Sequence, residues 1–420
     1  MRVLVLSQYF WPEVFRVNEI VSELTARGHE VTVLTGRPNY PDGVVLPEFA
    51  ADPEAFSRYA GAEVIRVPLR PRGQGSLRLV LNYWSFVFWG CLLGPWKLRG
   101  RAFDAIFVFE TSPITSALPA LLIKKFKRAP LLLWVLDLWP DTLSAIGVVR
   151  SPRLLGWVGH LVRFIYKRCD LILAQSRGFF PRIECWSRDP AKTRYFPQWA
   201  EATFDTDLDA VAPAPEVVEH QGFFNIMFAG NIGEAQDFPA ILDAAEQLRE
   251  QRQIRWLIVG DGRAAPEVRE AIASRGLQDT VFMLGRHPLE RMPGFFKGAD
   301  ALLVSLKAEP IFAMTIPGKV QAYLAAGRPL LGMLDGEGAQ VIRDAGAGLV
   351  CPSGDGKALA ARALELAALS PQARQAMGAS GRAYCRREFD RATLIAQLEG
   401  WLAQANSRMR RTSSDQAGGR

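Results

Sequence analysis

The chain has 420 residues, 49% of them hydrophobic, and a formal net charge of +7, which fits a globular protein of two or three domains with real cores. The charge is uneven: residues 1–200 carry 26 Lys/Arg against 16 Asp/Glu, and residues 201–420 carry 24 against 27. A basic first half suits an anionic membrane, a phosphate-bearing substrate or nucleic acid, and the lack of zinc-finger spacing, RNA-binding aromatics or a recognition-helix pattern ranks nucleic acid last.

In chain order, MRVLVLSQYF reads as a buried strand, and Pro12 as a first-turn residue of a helix running to about Arg27, which Gly28 stops. Strands follow at 30–35, 63–67, 105–109, 131–136 and 170–175. Strands alternating with helices imply a parallel sheet with right-handed crossovers. Asp205 to Gln221 reads as a linker, from its Pro, Ala and acidic content. The stretch 224–262 is the most informative. Ile226–Ala229 ends in Gly230-Asn231-Ile232-Gly233, a helix pattern runs from Pro239 to about Glu250, and Trp256–Val259 ends in Gly260-Asp261-Gly262. That is a βαβ unit of the nucleotide-binding kind. Further strands fall at 281–285, 301–306, 329–334 and 348–351. A last helix spans about 388–405, and the polar, basic residues 406–420 are expected to be disordered. The expected domains are 1–204 and 222–387, with helix 388–405 packing back on the first.

Leu79 to Trp96 holds no charge and is flanked by Arg78, Lys97, Arg99 and Arg101. Three readings stand: a buried core helix, a membrane span, and a helix lying in the membrane interface, where Trp and Tyr are favoured. The run is short for a span and would cut the first domain in two. Trp157, Leu161, Phe164 and Ile165, beside Arg163, Lys167 and Arg168, favour the interface reading. Cys91, Cys169, Cys185, Cys351 and Cys385 form no Cys-x-x-Cys pair, and the N-terminus shows no secretory signal. Both suggest reduced thiols in the cytosol.

The motifs SQYFWPEVFRVNEI (7–20), RGHEVTVLTGRPNYPDG (27–43), LWVLDLWPDTL (133–143), FAGNIGEAQDF (228–238), VGDG (259–262) and TIPGKVQAYLAAGRPLL (315–331) resemble, in order and spacing, retaining glycosyltransferase family 4. The branch resembled makes O-antigen and capsule and includes N-acetylfucosamine transferases. The resemblance covers about residues 1–390. It implies the GT-B fold: an α/β protein of two Rossmann-like domains whose parallel sheets face a central cleft, closed by the C-terminal helix. It also implies a nucleotide-sugar donor, here a UDP-sugar carrying an N-acetylhexosamine or deoxy relative, and no bound metal or other cofactor. The acceptor would be lipid-diphosphate-linked or a growing glycan, and the protein would sit peripherally on the cytoplasmic membrane.

A departing nucleoside diphosphate needs backbone N–H groups at a helix N-terminus and a cation. Pro317, Gly318 and Lys319 open a helix where Lys319 can place a point charge. Gly230, Asn231, Gly233 and Gln236 of one turn, Gly260, Asp261 and Gly262 of the next, and Arg286 after a strand complete the donor-site candidates. In the first domain Glu13, Asp137 and Asp141 are catalytic candidates, Asp137 foremost, since one carboxylate must position the acceptor hydroxyl or take its proton. Arg16, Asn18, Asn39 and Glu309 are substrate-binding candidates. Each has a plainer alternative: a helix-start lysine, a turn glycine, a capping aspartate or a solvated arginine. Two features depart from the family. Its pair of glutamates separated by seven residues falls on Met314 and Ala322, with Glu309 off register, and its basic residue after the glycine turn is replaced by Glu234-Ala235-Gln236. DTDLD (205–209) mimics a metal motif but falls in the expected linker, and His29, His160, His220 and His287 have no ligand spacing. Competing readings are a UDP-sugar 2-epimerase and a non-catalytic subunit that keeps the fold.

Overall fold

The computed structural model describes residues 1–73, 75–145, 149 and 151–418. It divides into unit 1 (Met1–Gln175, Phe179–Phe196 and Ala392–Arg420) and unit 2 (Ser176–Gly178 and Pro197–Arg391).

Unit 1 is built on strands β1 (Arg2–Leu6), β2 (Glu30–Thr35), β3 (Arg58–Tyr59), β4 (Ala62–Arg66), β5 (Ala105–Glu110), β6 (Leu131–Val135), β7 (Leu171–Ala174) and β8 (Thr193–Tyr195). They lie in the order β3-β4-β2-β1-β5-β6-β7-β8. All pairings are parallel except the β3–β4 hairpin. β5 and β6 are buried along their whole length, because helices cover both faces of the sheet. The order reverses between β1 and β5, which places the ligand crevice at their carboxyl ends, beside Ser7–Tyr9 and Glu110.

Unit 2 carries β9 (Phe224–Ala229), β10 (Ile254–Val259), β11 (Val281–Gly285), β12 (Ala301–Ser305), β13 (Leu330–Met333) and β14 (Gly348–Cys351). The sheet is parallel, ordered β11-β10-β9-β12-β13-β14. Its switch point lies between β9 and β12.

Four sequence expectations change. Pro12 does not open a helix: it sits in a turn, and the helix spans Arg16–Ala26, entered through extended Phe15. Residues 205–221 are not a linker. They fold onto unit 2 in short helical turns that bury Leu208, Ala214 and Val217, and Asp209 pairs with Lys297 at 2.8 Å. The chain instead passes from unit 1 to unit 2 at Phe196/Pro197. The last helix runs Arg391–Gly418, well past residue 405, and Arg410 within it pairs with Asp104 at 2.9 Å. Residues 419–420 of the expected disordered tail lie outside the described residues. Earlier in this helix, within unit 1, Glu399 meets His29 at 2.9 Å and Arg27 at 3.5 Å.

The long apolar run forms the helix Ser76–Lys97, long and apolar enough to cross a membrane by length and composition. Only 28% of its apolar stretch is buried, so it is not the buried core helix. One face is tied to unit 1. Asn82, fully buried, accepts hydrogen bonds from Gln8 Nε2 (2.7 Å) and the Tyr9 hydroxyl (3.1 Å), and its Nδ2 donates to Arg70 O (2.6 Å). Gly90 and Gly94 let the helix approach Pro119, Leu34 and Ile123, where an added Cβ would stand 2.8–3.3 Å from those side chains. Replacing Asn82 by Ala orphans the buried Gln8 amide and Tyr9 hydroxyl and frees the Arg70 carbonyl. The expected cost is about 2–3 kcal/mol, read as a lower urea midpoint for the variant.

Candidate active site

The donor-site candidates assemble at the carboxyl ends of β9 and β10. Ala229 pairs with Val259, so both strands end together and the two glycine turns touch. Gly260 has φ +140°, and a Cβ there would lie 1.9 Å from Gly230 O; only glycine permits this approach. Gly230 has φ +139°, and a Cβ there would lie 2.8 Å from Lys319 Cε. The missing side chain at Gly230 is the space through which Lys319 reaches the turn.

Lys319 is the second residue of the helix Gly318–Ala326. Pro317 is its extended N-cap rather than a first-turn residue. At Gly318 an added Cβ would meet nothing within 4 Å, so the helix N-terminus is open to approach. Lys319 Nζ donates to Gln236 Oε1 at 2.8 Å and stands 4.6 Å from the Phe228 ring centroid. Burial pushes its ammonium down to about 8, since none of these partners carries a compensating negative charge. One turn on, the Tyr323 hydroxyl donates to Ala229 O (3.0 Å) and accepts from Ala229 N (2.9 Å), which fixes the helix against the end of β9.

These groups border a cavity of about 690 Å³ within unit 2. Gly230, Asn231, Gly260, Asp261, Gly262, Arg286, Gly318 and Lys319 line it; Gln236 takes part only through Lys319, and Gly233, Pro317 and Glu309 are not in its lining. Gly233 caps a short helical turn, and Glu309 caps the helix Pro310–Ala313. Sequence reasoning missed an aromatic wall. Phe204 stacks on Phe296 at 5.5 Å, and Phe296 meets Tyr323 edge-on at 5.4 Å. His287 also lines the cavity, its ring 4.6 Å from Phe295 and its Nδ1 2.8 Å from an Arg291 nitrogen. The only available signal was that His287 follows Arg286 after β11. Ala322 puts a methyl group in the lining, and the acidic residues there are Glu201 and Asp261.

In unit 1 the candidates separate by what their polar atoms face. Glu13 is buried, and its carboxylate accepts from the backbone N–H of Phe10 (3.1 Å), Asn39 (2.7 Å) and Tyr40 (2.7 Å). Burial pushes its pKa up against the pull of those donors. Asn18 donates to Glu13 O (2.7 Å) and accepts from Trp11 N (3.2 Å). Asn39 donates to Arg37 O and accepts from Arg72 N. Glu13 thus clamps the loops after β1 and β2 together, Asn18 folds the β1 loop on itself, and Asn39 ties the β2 loop to the segment after β4. Arg16 pairs with Glu19 at 2.9 Å, and Asp141 with Arg182 at 3.0 Å.

Asp137 differs. It follows β6, is half-buried, and burial pushes its carboxyl up to about 7. Glu110, at the end of neighbouring β5, is fully buried, and burial first, then the Asp137 charge, raises its pKa well above the ordinary value against the pull of the Leu136 and Asp137 N–H groups. Two neighbouring carboxyls, both pushed up and Asp137 to about 7, form an arrangement able to take up or release a proton. Among the described residues, no group of three or more His, Cys, Asp or Glu side chains is placed to hold a metal ion.

Each unit is a parallel α/β sheet domain, unit 2 carries a glycine-turn cavity with a lysine at a helix N-terminus, and the comparisons place the chain among glycosyltransferases. Residues 14–199 match the Glycosyl transferase 4-like domain, and residues 224–368 match Glycosyl transferases group 1. The protein is a glycosyltransferase of the GT-B fold, of hexosyltransferase type, built from these two domains. It is 27% identical over 346 residues to WcaI of Escherichia coli K12, named as a colanic acid biosynthesis glycosyl transferase, covering 78% of this chain and 82% of that one. It is 28% identical over 256 residues to WbjE of Pseudomonas aeruginosa, named as a glycosyltransferase, covering 58% and 62%. Anabaena HepE, solved with UDP and glucose, superposes with a TM-score of 0.65 at 16% identity over 96% of this chain and 99% of that one. WaaG, a glycosyltransferase involved in lipopolysaccharide biosynthesis, gives 0.63 at 16% identity over 95% and 98%.

Gly230→Ala drives a methyl group into Lys319 Cε and strains the backbone. It is expected to lower the melting temperature by about a few degrees, by scanning calorimetry, while circular dichroism of the variant below the transition stays native.

Proposed function

We propose that the protein transfers a sugar, an N-acetylhexosamine or deoxy relative, from a UDP-sugar to a lipid-diphosphate-linked or growing glycan acceptor in surface polysaccharide synthesis, with retention of anomeric configuration. The observation that carries this reading is Lys319, half-buried beside the glycine turn at an open helix N-terminus. The names of WcaI and WaaG support the polysaccharide assignment. HepE's UDP and glucose support the donor class.

Unit 2 holds the donor. Lys319, the N–H groups at Gly318–Lys319 and Arg286 offset the diphosphate charge, so the site works without a metal ion or other cofactor. The wall of Phe204 and Phe296 gives the base an apolar face. As the bond between the anomeric carbon and the β-phosphate oxygen breaks, the charge left on UDP falls to these donors. Unit 1 supplies the acceptor residues; the acceptor oxygen bonds to the anomeric carbon on the face the phosphate leaves, as retention requires, and Asp137 takes its proton. Glu13, Asn18 and Asn39 hold the loops that frame this end of the sheet. The acceptor lies at the cytoplasmic face of the membrane, where the protein is peripheral.

The test is transfer by the purified chain alone, scanning UDP-sugars against a lipid-diphosphate-linked sugar. Product with the donor's configuration supports the reading; UDP binding without transfer points to a subunit that lacks catalysis. The pH profile is a sharper check. Asp137 must be ionised to act as base, so kcat/KM rises through about 7. Lys319 must be protonated to hold the diphosphate, so kcat/KM falls above about 8. Asp137→Asn is expected to lower kcat about a hundredfold or more and remove the acid limb with UDP affinity unchanged. Lys319→Met weakens UDP binding and removes the alkaline limb.

A further inference from the structure

One face of unit 1 is formed by three adjoining helices: Ser76–Lys97 packs on Ala117–Lys127, which packs on Pro152–Arg168. The outer surface of the first is apolar along its whole length. Leu77, Leu81, Trp84, Phe88, Leu92 and Trp96 follow the spacing of one helical stripe, and all are exposed, Trp84 by 51% and Phe88 by 59%. The neighbouring helices add exposed Phe126, and Leu154, Trp157 (74% exposed) and Phe164. Contiguous apolar surface of this kind marks an interaction site.

Charge selects the partner. None of the three helices contains an acidic residue, and exposed basic side chains rim the face: Arg78, Lys97, Arg99, Lys125, Arg128, Arg153, Lys167 and Arg168. Two of these cations stand over exposed rings of the same surface, Arg99 over Trp96 at 5.2 Å and Arg168 over Phe164 at 3.7 Å. Arg163 foremost, then desolvation and the charges of Arg188 and Arg168, push the Lys167 ammonium down, as expected where like charge is concentrated. Aromatic rings beside cations match the boundary between lipid tails and headgroups.

The opposite side of the long helix fixes the depth. Asn82 is bonded to Gln8, Tyr9 and Arg70, Phe86 is fully buried, and Gly90 and Gly94 lie against Pro119, Leu34 and Ile123. A spanning orientation would tear all of these contacts from the sheet domain. We infer that these three helices form a monotopic surface whose apolar stripe lies in the plane of an anionic lipid leaflet, to the depth of the exposed side chains and no further. The inference rests on the lipid-linked acceptor reading and adds the surface by which the protein meets its acceptor's membrane.

The experiment floats the full chain with vesicles of phosphatidylcholine, alone or in a three-to-one mixture with phosphatidylglycerol, beside the variant Trp84→Ser/Phe88→Ser/Trp157→Ser. All three positions are exposed, so the variant keeps its core. Binding to the mixed vesicles is expected, weakened by salt, reversed by an alkaline wash and reduced about tenfold or more in the variant. Equal flotation of the variant, no flotation of the native chain, or resistance to the alkaline wash overturns the inference. So does a native dimer that the variant converts to monomer, which would show that the face covers a second copy. Transfer to a short water-soluble acceptor is expected to survive in the variant. Vesicle binding by a chain that transfers no sugar leaves the membrane face standing and removes the sugar-transfer reading.

Discussion

The site in unit 2 depends on the contact between two glycine turns and one lysine. Gly260 closes on Gly230 at a distance that excludes any side chain, and Gly230 in turn leaves the gap that Lys319 occupies. Lys319 is thereby held against Phe228 and Gln236, with its charge incompletely compensated. A buried ammonium in that condition favours whatever brings negative charge within reach, and the cost of burying it is recovered when an anion arrives. Tyr323 keeps the arrangement from relaxing, because its hydroxyl holds both backbone groups of Ala229.

Unit 1 shows the complementary problem of placing carboxylates. Glu13 and Asp137 both follow strands at the same edge of the sheet, yet they do different work. Glu13 is surrounded by three backbone donors and organises loops. Asp137 has burial as the cause of its shifted pKa and remains half-exposed, which leaves it able to meet a substrate. Glu110 behind it is fully buried, and its carboxyl is pushed well above the usual range by burial first and then by the Asp137 charge.

This contrast marks how far the sequence could be read. Strands covered on both faces appear as unbroken apolar runs, so both sheets and the βαβ unit at 224–262 were legible, as were the glycines and Lys319, whose spacing follows from close backbone approach. What a polar side chain faces is not written in its spacing. Glu13, Asn18 and Asn39 look like ligand-binding groups in sequence and turn to backbone N–H and C=O groups in the structure. Residues 205–221 have the composition of a linker, but three apolar residues among them suffice to seat the segment on unit 2. Phe204 and Phe296 stack from distant parts of the chain, and no local pattern announces such a pair.

The helix Arg391–Gly418 bears on how the chain is made. Its buried residues Ile395, Leu398 and Leu402, and Trp401 at 5.8 Å from Phe196, belong to unit 1, whose other segments end at residue 196. Everything from Pro197 to Arg391 belongs to unit 2, which also takes Ser176–Gly178 from within the earlier stretch. The first domain to emerge from a ribosome is therefore the last to be finished: its sheet waits through the synthesis of the whole second domain for the helix that completes its surface. A chain cut short near its end would be damaged in the half that was translated first.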